Sequence, residues 1–167
     1  MLRIIPRRLL ALGLTAPLFA LAGNAGATTI VKRTLDEMVR EVDRIVVGEI
    51  VSVEQDWDDD EMISTFATLR VDQQILGDAT SATIELRSPG GTIGEFSTTV
   101  PGSPEIDRIG SRMIVFLWND RAESMSNVAY WGLGQYLVSN EGIVERTGQP
   151  LSEFVHHLET RIERAGR

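Results

Sequence analysis

Apolar and polar positions change period several times along the chain, and each change marks an element. Leu35, Met38, Val39 and Val42 recur at the three- and four-residue spacing of one helix face. Thr34, with Glu37 three residues on, has the form of a capping box, and Arg40 and Arg44 suit the negative end of a helix dipole. Together they predict a helix over about 34–44. Ile45 to Glu54 is β-branched and strand-like, with Gly48 marking a bulge or bend. From Met62 to Gln74 the period is two: Ile63, Thr65, Ala67, Leu69 and Val71 alternate with Ser64, Phe66, Thr68, Arg70 and Asp72. A polar loop joins these two strands into a long hairpin.

Ala82 to Ser88 reads as a third strand, ended by Pro89-Gly90-Gly91. Residues 92–111 are rich in Gly, Pro, Ser and Thr and form an excursion, with Phe96 to Val100 extended. Arg112 to Trp118 is apolar on both faces, as a central strand is. Val128 to Ser139 is predicted as one further strand, with Gly132 and Gly134 on one face, as in a curved barrel strand. Asn140-Glu141-Gly142 signals a hairpin turn, and Ile143 to Arg146 returns. Phe154, Val155, Leu158 and Ile162 mark a helix over about 152–164, with Ser152 as N-cap and Gly166 as C-cap. No internal repeat or linker divides the chain. The order of helix, five to six antiparallel strands and helix predicts a mainly β fold, a small OB-like barrel; the alternative is a β-sandwich.

The first 27 residues have a different character. Arg3, Arg7 and Arg8 precede an apolar stretch from Leu9 to Ala22, and Ala25-Gly26-Ala27 is a small-x-small cleavage site. The stretch is too short to span a bilayer, and Pro17 interrupts it. Residues 1–27 therefore read as a secretory signal peptide and 28–167 as a single OB-like domain with flanking helices. The expected location is periplasmic or extracellular, with no membrane association after cleavage. The full chain has 167 residues, 16 basic and 24 acidic, for a net charge of −8. Removing the three signal arginines leaves 13 basic residues against 24 acidic ones, or −11. Such a balance argues against nucleic acid as a partner. The chain has no cysteine, which excludes disulfides, thiolate metal ligands and a thiol nucleophile.

Several segments carry a resemblance. They are Ile45-Val46-Val47-Gly48-Glu49-Ile50, Thr65 to Val71, Leu76-Gly77-Asp78, Ser88-Pro89-Gly90-Gly91, Val100-Pro101-Gly102-Ser103-Pro104 and Ile109 to Leu117. In these the chain resembles small secreted bacterial proteins of unassigned function, some of which accompany matrixin-like metalloproteases. More distantly, the layout is similar to the netrin-like OB-fold of tissue inhibitors of metalloproteases. Those inhibitors bind the protease zinc through an N-terminal Cys. This chain has none, so the likeness implies a barrel and a protein partner, and not that chemistry.

Of the polar clusters, Asp56, Trp57, Asp58, Asp59, Asp60 and Glu61 are the most conspicuous and form the candidate partner-binding residues. Asp56, Asp58 and Asp60 have the spacing of the first three ligands of a calcium loop. Glu61 stands where that loop needs Gly, and Ala67 where it needs Glu, so calcium is a weak candidate. An acidic hairpin tip that keeps strand ends apart is the simpler reading. Trp57 within it is either a partner anchor or folds back on the barrel.

Pro89-Gly90-Gly91-Thr92-Ile93-Gly94 has the glycine density of a phosphate cradle but no following helix and no Lys, so a turn with positive φ is expected. His156 and His157 are adjacent on a helix and diverge by about 100°, too far to share a metal. Tyr130, Trp131 and Tyr136 offer stacking surface or core packing. No cofactor is expected, and no catalytic constellation stands out. The expected function is an exported, non-enzymatic module that binds a protein, such as a secreted metalloprotease. Alternatives are a weak calcium or saccharide binder and a carboxylate-dependent hydrolase.

Overall fold

The computed structural model describes residues 32–78, 81–119 and 125–167, so residues 1–27, expected from the sequence to be a signal peptide, lie outside the described residues. Helix α1 (Leu35–Glu41) starts at the predicted capping box. Thr34 Oγ1 accepts the Glu37 amide at 3.3 Å, and the Glu37 carboxylate accepts the Thr34 amide at 2.8 Å. The helix stops short of residue 44 because Val42 is already extended and the Asp43 amide donates to Leu117 O at 3.0 Å.

Among the described residues ten strands follow: β1 (Arg44–Trp57), β2 (Ile63–Leu76), β3 (Thr83–Pro89), β4 (Gly91–Ile93), β5 (Phe96–Thr98), β6 (Arg112–Asn119), β7 (Ser126–Val128), β8 (Gln135–Val138), β9 (Ile143–Val144) and β10 (Gln149–Pro150). Helix α2 (Leu151–Ala165) ends the chain. Strands β1, β2, β3, β7 and β6 close into a barrel, with β6 pairing back onto β1. The fold is thus the small OB-like barrel, and the sandwich is set aside. One of its pairings is parallel, where an all-antiparallel barrel was expected. Strand direction dictates this. β1 and β3 run the same way, and β6 runs opposite to β1. β7 runs opposite to β6 and therefore closes on β3 in parallel.

Alternation along β1 and β6 builds two cores. Val46, Ile50, Met113, Val115 and Leu117 point into the barrel with Ala67, Leu69 and Leu86. Ile45, Val47, Ile114 and Phe116 point outward, under Met38 and Val39 of α1 and Phe154, Val155, Leu158 and Ile162 of α2. This explains why Arg112 to Trp118 is apolar on both faces. Each such burial contributes about 1.5–3 kcal/mol relative to exposure. Gly48 permits the bulge predicted for it: a Cβ there would meet Arg70 O at 2.5 Å, and the β1–β2 register shifts beside it.

The predicted strand from Val128 to Ser139 is broken in two. Leu117 faces Val128, yet Val115 faces Gln135, so residues 129–134 are looped out between β7 and β8 along one edge of β6. The loop contains a 3-10 turn, Trp131–Gly134. Its glycines serve close packing rather than barrel curvature. A Cβ on Gly134 would stand 2.2 Å from Ala129 O, and one on Gly132 3.0 Å from Gly102 O. Two smaller corrections concern caps and the excursion. Pro150, without a side-chain hydrogen bond, occupies the N-cap of α2, and Ser152 lies inside the first turn, whereas Gly166 is the C-cap at φ +73°. Phe96–Thr98 pairs with Gly91–Ile93 as a separate two-stranded hairpin. Gly90 takes the positive φ expected of that turn, +106°. Among the described residues, no helix is long and apolar enough to cross a membrane.

Candidate functional site

The six residues singled out in the first hairpin do not form one loop. Strand β1 carries Asp56 and Trp57 out to the end of the ladder, where Trp57 pairs with Ile63. Asp58 turns back inward, and its side chain is 2% exposed. Its Oδ1 accepts the amides of Met62 at 2.9 Å and Asp60 at 3.0 Å. Its Oδ2 accepts Ser64 Oγ at 2.7 Å and Arg87 Nη2 at 2.8 Å. The Ser64 hydroxyl and the Met62 amide, with Asp60 and Arg87 behind them, hold the Asp58 carboxyl below the usual range. Asp58 is therefore the post around which the tip turns. Glu61 completes the turn at φ +57°.

Asp56 accepts the Trp57 amide at 2.8 Å. Asp56, Asp58 and Asp60 are not drawn into a common ligand set. Among the described residues, no group of three or more His, Cys, Asp or Glu is placed to hold a metal ion. Asp56, Asp59, Asp60 and Glu61 are exposed.

Trp57 neither stands alone nor folds into the core. It is 49% exposed, and its ring meets Phe96 edge-on, with centroids 6.0 Å apart and planes at 66°. Phe96 is itself 65% exposed. The partner ring comes from the β4–β5 hairpin, which is tied to the tip through Gln55. Gln55 Oε1 accepts the Thr92 amide at 2.9 Å, and Thr65 Oγ1 donates to Gly90 O at 2.7 Å beside it. The result is an exposed aromatic pair on a tip that also carries exposed carboxylates. Sequence reasoning missed Phe96, because the contact spans 39 positions in sequence between Trp57 and Phe96 and depends on how the excursion folds back.

A second region lies on the outer face of β3, β7 and β6. Arg87 faces Asn127, and Asn127 faces Trp118, so the three side chains form a row across the strands. Pro89, Pro104, Val128 and Trp131 complete the described lining of a hollow of about 310 Å³. Of the aromatic residues predicted on one strand, Tyr136 is core, with its ring 5.7 Å from Phe116 and 5.0 Å from Phe154. Tyr130 is half-buried, and its ring stands edge-on to Trp118 at 4.7 Å. Burial and the hydroxyl's donation to Glu41 push the Tyr130 phenol up to about 12. Trp131 is 51% exposed. Trp118 was missed in the sequence because it ends an apolar run and reads as core. His156 and His157 are exposed on α2, the latter 3.5 Å from Gln149 Nε2.

No model of a known protein family matches the chain, and no curated protein matches it.

Proposed function

We propose that this chain is an exported, non-enzymatic module that binds a protein partner through the tip of the first hairpin. The single observation that supports the reading is the exposed pair of Trp57 and Phe96, on a tip that also carries exposed Asp56, Asp59, Asp60 and Glu61. Aromatic anchors carry a large share of binding energy at protein interfaces. A ring of carboxylates steers a basic partner surface and rejects acidic ones. The partner class suggested by the sequence resemblance is a secreted metalloprotease, met in the periplasm or outside the cell. The absent Cys means that such an encounter would not use the zinc chelation of the inhibitors to which the sequence layout is similar.

The test is a pull-down from the source organism's envelope extract with the mature protein, its Trp57→Ala/Phe96→Ala variant, and a variant with Asp56, Asp59 and Asp60 changed to Asn and Glu61 to Gln. Asp58 is left in place, since it holds the tip together. A protease captured by the parent and lost from the aromatic variant supports the reading. Equal capture by all three proteins removes the tip from it.

A further inference from the structure

The looped-out segment 129–134 interrupts a strand that could have run unbroken along β6. Its first two aromatic residues, Tyr130 at φ +54° and Trp131 at φ +58°, occupy the left-handed region that bulky side chains avoid. Such strain persists only where the surroundings over-determine it, and it concentrates at sites of function. The surroundings here are extensive. The Tyr130 ring stands against Trp118, Arg33 lies over it at 5.5 Å, and its hydroxyl donates to Glu41. Arg146 donates to both Leu133 O and Gly132 O at 2.8 Å, and the Gly132 amide donates to Gly102 O at 2.8 Å. Everything in the turn is clamped except the Trp131 indole. Among the described residues, no hydrogen bond or ring contact engages it.

Beside that indole lies the hollow with Trp118, Arg87 and Asn127. We propose that this hollow is a binding site for a neutral saccharide, distinct from the hairpin tip, with Trp131 and Trp118 as stacking platforms and Asn127 and Arg87 reading hydroxyl groups. The lining decides the ligand class. Among the described residues, Arg87 is the one charged group lining the hollow, and Asp58 neutralises it at 2.8 Å. Among the described residues, a ligand phosphate or carboxylate therefore finds no free cation in the hollow, and a ligand cation finds no free carboxylate there. The guanidinium still carries further N–H donors, and the Asn127 amide offers both donor and acceptor. Exposed indoles with fixed polar groups match a ring that has apolar C–H faces and hydroxyl edges. The chain's net charge of −8 opposes single-stranded nucleic acid, the other common stacking ligand. Pro89 and Pro104 line both this hollow and a neighbouring one, so they stand between the two and keep the site short. At about 310 Å³ it suits a compact ligand better than an extended proline-rich peptide.

The experiment titrates the mature protein with cellotriose, maltotriose and tri-N-acetylchitotriose, up to about 10 mM each, and follows the three indole N–H resonances by NMR. At least one sugar should shift the Trp118 and Trp131 signals saturably and leave Trp57 unmoved. Trp131→Ala and Asn127→Ala should each weaken binding at least about tenfold, while Trp57→Ala leaves it within about twofold. Trp131→Gly separates display from folding: glycine accepts positive φ, so this variant should melt no lower than the parent yet lose the sugar. The proposal is overturned if none of the sugars shifts the two indoles, if Trp131→Ala binds as the parent does, or if a proline-rich peptide moves the same signals and the sugars do not. Loss of sugar binding with intact protease capture, or the reverse, tells this site from the hairpin tip.

Discussion

The Arg87 guanidinium lies 2.8 Å from Asp58 Oδ2 and ties the third barrel strand to the tip of the first hairpin. One carboxylate, 2% exposed, thereby organises the loop that presents Trp57. Asp58→Ala should lower the melting temperature by roughly 5–10 °C and broaden amide signals over 56–64, as four donors lose their acceptor. Asp59→Ala should leave melting unchanged, because that side chain is exposed and in no such network. Thermal melts of both variants check this.

Acid should act through the same residue. Ser64 and the Met62 amide hold the Asp58 carboxyl below its ordinary value, so the folded state keeps it ionised at a pH where the unfolded chain protonates it. Its contribution is present above the ordinary carboxylate range, near pH 4, and is lost as pH falls through the depressed folded value. Melting temperatures from pH 6 down to pH 2 should fall less steeply in Asp58→Asn than in the parent.

At the alkaline end the sign is opposite. The Tyr130 phenol is pushed up to about 12 by burial and by Glu41, so the folded state holds its proton where the unfolded chain releases it. Stability from this group is present below about pH 10 and is lost between there and about 12. Tyr130→Phe should flatten denaturant midpoints across that interval relative to the parent.

Gly134→Ala should be among the most damaging small substitutions. The new Cβ would meet Ala129 O at 2.2 Å, and that oxygen is backbone that cannot swing aside. A loss of about 2–4 kcal/mol is expected in urea unfolding, against less than about 1 kcal/mol for Gly94→Asn, where a side chain meets open space.

Trp57→Ala should barely move stability, within about 1 kcal/mol, since nearly half of the ring is already in water. Phe96 should then show increased side-chain mobility, because its ring partner is gone. Phe96 methyl-free ring relaxation by NMR checks this without reference to any partner.

The local vocabulary of this protein was legible in order along the chain. Thr34 and Glu37 announced the first helix and the two-residue alternation over 63–72 announced a half-buried strand, because capping and pleating depend on neighbours in sequence; Gly48 announced a bulge by its residue type, although the atoms it makes room for, Arg70 O and the Leu69 side chain, lie on the next strand. The barrel followed from the count and length of those strands. Three features were decided only by tertiary structure. Parallel closure of β7 on β3 follows from the direction in which β6 returns to β1, which no local pattern encodes. Val128 to Ser139 has strand composition throughout, yet residues 129–134 are looped out of the ladder, where Gly102 O receives the Gly132 amide and Arg146 holds Gly132 O and Leu133 O. The acidic tip read as one solvated run, whereas burial under Arg87 turned Asp58 into its support and left Trp57 to meet Phe96 outside. In each case the deciding contact joins residues far apart in sequence, and only closure of the barrel brings them together.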